Sequence, residues 1–193
     1  MNGQAPSPGY FDETNMQAFS RRGFQLRSAS LETRLAYTGF LLMTLLGVVT
    51  LLALSVGRVG FVPEKIAIYY RGGESEMSFP KTFWQLMEVS HFHLFTVPVV
   101  VLILSHLLYA TPVSTSWRVR LTLATYGGAL LEALGPWSVR YLSASCAWGL
   151  LLGWGLLAGG SGVIVVISLV SMWGPKSWID RAPRSPLPSQ DEP

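Results

Sequence analysis

From Leu35 to Val56 the chain runs for 22 residues without one charged side chain. A run of that length is what an α-helix needs to cross roughly 30 Å of hydrocarbon. Only helices and closed barrels satisfy their backbone polar groups in lipid, so this stretch sets soluble folds aside. Further apolar runs cover about 87–110, 119–134 and 143–173. Charged residues make up 13% of the 193, against roughly 25% in soluble domains, and they gather between the apolar runs. The pattern predicts an all-α fold, an integral membrane four-helix bundle over residues 35–173.

Residues 1–34 are polar and carry Arg21, Arg22, Arg27 and Arg34 just before the first run. The run is too long, and too poor in a small-residue cleavage site, for a signal peptide, so it is read as an uncleaved first span. Lys and Arg number nine in the two tails and the 111–120 loop and five in the two opposite loops. The excess predicts that both termini lie in the cytoplasm. The tail 174–193, with Pro175, Pro183, Pro186, Pro188 and Pro193, is expected to be disordered.

Between the first two spans, Pro63 opens a short amphipathic helix whose Ile66, Tyr69 and Tyr70 face rests at the interface. The phrase Tyr69-Tyr70-Arg71-Gly72-Gly73-Glu74 that follows has turn chemistry and one free cation. It reads as a docking or headgroup-contact loop, with Arg71 as the contact. Ser78 and Pro80 look like the start of a long helix that runs to Ala110. Pro98 is expected to kink it, and Gly135-Pro136-Trp137 to end the third span.

The net charge of +3 sits beside membrane segments and forms no folded basic face, which argues against nucleic acid. One cysteine, Cys146, excludes an intrachain disulfide or a multi-cysteine metal centre. No serine or cysteine nucleophile stands near a histidine and an acid, so the chain by itself is not read as catalytic. Partners are the lipid bilayer and other membrane subunits or a homodimer. Gly149, Gly153, Gly155 and Gly159, at small-xxx-small spacing, offer a close-packing face, although glycine is also simply frequent in membrane helices.

Ionisable side chains within a span cost about 2.5–3.5 kcal/mol each on insertion scales, so each needs a partner or a purpose. Five stand out, Glu88, His91, His93, His106 and Glu132, and all three histidines of the chain fall on the second span. Glu88 and His91, three residues apart, share a helix face, while His93 lies about 200° around from His91. Glu132 is at a comparable depth on the next span, so Glu88, His91, His93 and Glu132 form a candidate set of mixed nitrogen and oxygen ligands for a transition metal. His91 and His106 are separated by about 22 Å of rise and about 60° of rotation, a spacing that offers one axial ligand near each membrane face. A haem b would then need a second chain or an axial Met87, Met172 or Cys146. Interhelical hydrogen bonds are the bland alternative: histidine to serine, threonine or glutamate, and a protonated Glu132 to His93 or Tyr126.

With Tyr69-Tyr70-Arg71-Gly72, Phe79-Pro80-Lys81, His91-Phe92-His93-Leu94-Phe95, Pro98 and His106, the chain resembles short four-span bacterial inner-membrane proteins without an assigned activity. The resemblance covers about residues 35–173 and implies a multi-pass protein of the bacterial inner membrane whose second helix is the functional one. More remotely, through His91 and His106, the chain is similar to four-helix b-type cytochromes and quinone-linked membrane anchors. The leading expectation is a membrane subunit of a redox complex that holds haem b or a quinone through His91, His93 and His106. A structural subunit without a cofactor and a metal-handling protein are the alternatives.

Overall fold

A computed structural model describes residues 25–74 and 76–175. The cytoplasmic tail expected over 1–34 lies outside the described residues as far as residue 24, and the tail expected to be disordered lies outside them from residue 176. Five α-helices account for most of the rest: α1, Leu31–Arg58; α2, Pro63–Arg71; α3, Phe83–Tyr109; α4, Thr115–Trp137; and α5, Ala147–Trp173. Among the described residues there is no strand, only an isolated antiparallel bridge between Gly73 and Ser78. Helices α1 and α3, and α5 with the short turn that precedes it, are long and apolar enough to cross a membrane. Helix α4 has 23 residues, and Arg118, Arg120 and Glu132 dilute its apolar character.

The helix ends are set by local chemistry. Ser30 accepts the Thr33 N–H and starts α1 four residues before the uncharged run. Pro63 occupies the first turn of α2, where a missing N–H costs nothing. Helix α3 starts later than Ser78 and Pro80 predict, because Lys81 spends its N–H on the Tyr70 carbonyl. Thr82 then forms a reciprocal capping box with Gln85 and starts the helix. The helix continues through Pro98.

The α-helix ends at Trp137, within the expected Gly135-Pro136-Trp137, but the glycine and proline lie inside its last turn, and the chain passes on into a π-helical turn, Ser138–Leu142. Proline removes one N–H and its bond to Glu132, but only within the last turn of the helix. The glycine has another use, since a Cβ on Gly135 would stand 2.7 Å from Leu150 Cδ1.

Packing between α4 and α5 is the closest in the bundle. A Cβ on Gly128 would lie 2.5 Å from the Leu157 nitrogen, and one on Gly153 would lie 2.8 Å from Leu131 Cβ and 3.0 Å from the Glu132 nitrogen. Thr125 fills the space over Gly160. As the number rises along α4 it falls along α5, so the two helices are antiparallel, with glycines seven apart on each. This corrects the expected glycine face. Gly153 is used up inside the chain, and Gly149, Gly155 and Gly159 have open space where a Cβ would stand.

Two apolar clusters close the ends. At one end Leu26, Leu41, Leu104, Leu108 and Met172 pack together, the Leu26 N–H donates to the Ala110 carbonyl, and Trp173 Nε1 donates to Thr38 Oγ1. At the other end Ile66 of α2 packs with Val139, Ala147, Leu150 and Trp154. Both ends of the described chain therefore meet at the end of the bundle opposite α2.

Gly128→Leu and Gly153→Leu are each expected to cost about 1–3 kcal/mol by forcing backbones apart. Gly155→Leu is expected to stay within about 0.5 kcal/mol. Thermal unfolding in detergent measures the difference.

Candidate functional site

The α4–α5 seam decides where Glu132 points. Its backbone rests on Gly153, so its side chain turns into the bundle at 7% exposure, near the α2 end. Helix α3 faces it with His93, whose Nδ1 lies 2.7 Å from Glu132 Oε1. This is the one ion pair among the described residues. Glu132 Oε2 is buried with no hydrogen-bond partner. An unpaired carboxylate oxygen in an apolar bundle carries a desolvation penalty that a donor group would relieve.

The surroundings change character along the membrane normal. His93 and Glu132 line a cavity of ≈ 170 Å³ together with Ser55, Arg58, Tyr70 and Ser90. Ser90 Oγ accepts the Trp137 indole N–H at 2.7 Å. Burial, with smaller contributions from Tyr69 and Glu132, pushes the Tyr70 phenol well above its ordinary range, so it stays a neutral hydroxyl. Toward the middle of the bundle lies an apolar cavity of ≈ 390 Å³ between α1, α3 and α5, lined by Phe40, Val48, Val97 and Leu157 among others. Leu51, Ser55 and Trp154 line both cavities, so the polar one adjoins the apolar one.

The structure brings two of the five predicted ionisable residues together, His93 and Glu132. Glu88, His91 and His106 are exposed on the outside of α3. The His91 ring lies 5.5 Å from that of Phe95, and His106 Nδ1 lies 2.9 Å from the Leu102 carbonyl of its own helix. Among the described residues no three His, Cys, Asp or Glu side chains gather as a metal site, so Glu88, His91, His93 and Glu132 do not converge. Met172 is buried at the far end, Met87 is exposed, and Cys146 packs beside the α2-end cluster.

Arg71, expected as a free headgroup contact, instead donates from Nη1 to the Val139 carbonyl at 3.0 Å and the Arg140 carbonyl at 3.4 Å. It ties α2 to the π-helical turn. Arg140 Nε donates in turn to the Lys81 carbonyl, and α2 becomes a lid over the polar cavity. The sequence pattern carries no signal for Ser55 and Trp154, because each is an ordinary residue of an apolar helix until the bundle closes, and Tyr70 reads there as an interface residue of the short amphipathic helix.

The model of the Aq_1264_TM transmembrane helical domain matches residues 60–178, more than half of the chain. The chain belongs to that family and is a multi-pass membrane protein. The match spans α2 to α5, which includes His93, Glu132 and the glycine seam, and leaves α1 outside it. No curated protein and no solved structure matches the chain.

His93→Leu alone is expected to destabilise the protein by about 1–3 kcal/mol, because it leaves Glu132 without any partner. The His93→Leu, Glu132→Leu double variant is expected to recover part of that loss. A double-mutant cycle on thermal unfolding reads the coupling.

Proposed function

We propose that the chain is a four-span subunit of a bacterial inner-membrane redox complex that binds a membrane-soluble quinone beside the His93–Glu132 pair. The observation that carries this is the junction at Leu51, Ser55 and Trp154, where a cavity holding a carboxyl oxygen without a partner adjoins an apolar one. A quinone has the matching shape, a polar ring with exchangeable hydrogen-bonding groups on a long apolar tail. When bound, such a group supplies paired electron and proton chemistry. Glu132 Oε2 would accept the hydroxyl hydrogen of the reduced, quinol form, the Tyr70 and Ser55 hydroxyls would donate to the carbonyl oxygens of the oxidised form, and the His93–Glu132 contact would pass a proton between the two side chains. The apolar walls keep bulk water away from the pair.

The shared end at which the chain's described termini meet supports four crossings over three. At 1.5 Å per residue α4 is about 34 Å long, enough to cross the hydrocarbon, and an odd number of crossings would separate those ends. The excess of Lys and Arg on that side supports a cytoplasmic location for it. Haem b is the other cofactor of the redox reading. All three histidines lie on α3, so His91 or His106 would need an axial ligand from elsewhere. A structural subunit is the second reading, favoured by the exposure of Glu88, His91 and His106 on the outside of a membrane helix, where a neighbouring subunit would shield them.

A short-chain quinone analogue titrated into the detergent-solubilised protein is expected to quench tryptophan fluorescence. Trp154→Phe should remove part of the signal, and Glu132→Gln should weaken competition by the quinol form, whose hydroxyl Glu132 would accept, about tenfold. No saturable quenching would remove the quinone reading, and a b-type visible spectrum lost in His91→Ala would replace it with haem. Reporter fusions after residues 30 and 174 are expected to place both ends in the cytoplasm, and opposite sides would refute four crossings.

A further inference from the structure

At the α2 end a third cavity, ≈ 610 Å³, opens beside the lid. Three cations line it, Arg58 from the last turn of α1, Lys65 from α2 and Lys81 before α3, with Glu76 as the acid among its lining residues. Since the one ion pair among the described residues is His93–Glu132, none of the three cations has a carboxylate partner there. Lys81 Nζ stands 4.2 Å from the Tyr69 ring centroid, which holds its stem in place without neutralising it. Ser78 also lines this cavity, and its Oγ is buried with no hydrogen-bond partner. A hydroxyl donor in want of an acceptor, among three uncompensated cations, is the donor set for a phosphate group.

The rim says from which phase the phosphate comes. Phe79 lines it and is 89% exposed, and Phe61, Val62 and Trp84, close in the chain to the lining residues Gly60 and Gln85, are 48%, 47% and 76% exposed. Large apolar side chains beside lysine and arginine at a helix end mark the headgroup layer of a bilayer. From this geometry we infer that Arg58, Lys65, Lys81 and Ser78 form a binding site for the phosphate of an anionic phospholipid, drawn from the leaflet at the α2 end. The site borders the cavity of the His93–Glu132 pair, with which it shares Arg58, but Lys65, Lys81 and Ser78 belong to it alone and it does not depend on the quinone reading. It also moves the headgroup contact away from Arg71, whose guanidinium is occupied.

The test is native mass spectrometry of the full chain, delipidated and then exposed to equal amounts of phosphatidylglycerol and phosphatidylcholine. Retention of phosphatidylglycerol is expected to exceed that of phosphatidylcholine about tenfold, to fall toward parity in Lys65→Gln, Lys81→Gln, and to survive in Lys65→Arg, Lys81→Arg. The charge-keeping variant and the unfolding temperature separate loss of the site from loss of the fold. Equal retention of both lipids by the unaltered chain overturns the proposal. Displacement of phosphatidylglycerol by millimolar inorganic phosphate would assign the cations to a soluble phosphate and overturn the lipid source.

Discussion

The approach of two backbones at the α4–α5 seam is the constraint on which the rest of the bundle depends. In lipid no hydrophobic force draws helices together, so dispersion contacts and the geometry of small residues decide which helices pair. Gly128 and Gly135 on one side and Gly153 and Gly160 on the other let the main chains approach where any side chain would intrude. Once the seam is closed, the Glu132 backbone is pinned on Gly153, and its carboxyl group has to face α3. His93 answers it. The position of α3, and with it the two cavities, follows from that pairing, while α1 rests chiefly on α5 and forms the far wall of the apolar space.

Much of the fold could be read from the sequence, because length and apolarity alone identify a helix that must satisfy its backbone in lipid. The runs at 35–56, 87–110 and 143–173 correspond to α1, α3 and α5, and Pro63 opens α2 as its chemistry predicts. The errors lie where one residue type serves two purposes. Gly135 and Pro136 read as a stop, and the α-helix does end at Trp137, yet the glycine also admits Leu150 and a π-helical turn continues the chain. The small-xxx-small spacing around Gly149–Gly159 is local and visible, whereas the spacing of seven that closes the seam needs both helices to be seen at once.

The candidate site was half legible. Concentration of histidines on the second span, and a glutamate on the third at matching depth, point to the right pair of helices. Which histidine meets Glu132 depends on the rotation of α3 about its axis, and its hydrophobic pattern fixes that rotation weakly because the helix is apolar on all sides. Glu88 and His91, paired by periodicity, turn outward together, and the residue on the other face is the one used. Arg71 shows the same limit: a cation just before a pair of glycines looks free until the Val139 and Arg140 carbonyls appear beside it.

Because α1 leans on α5 and only borders the cavities it shares with α3, the space between α1 and α3 is a side door rather than a funnel. A molecule using it would stay dissolved in the bilayer throughout. Its effective concentration would then be a mole fraction among lipids, set by membrane composition and independent of the volume of water around the cell. Occupancy of such a site would respond to how the membrane is made, so the chain would sense the state of its own solvent.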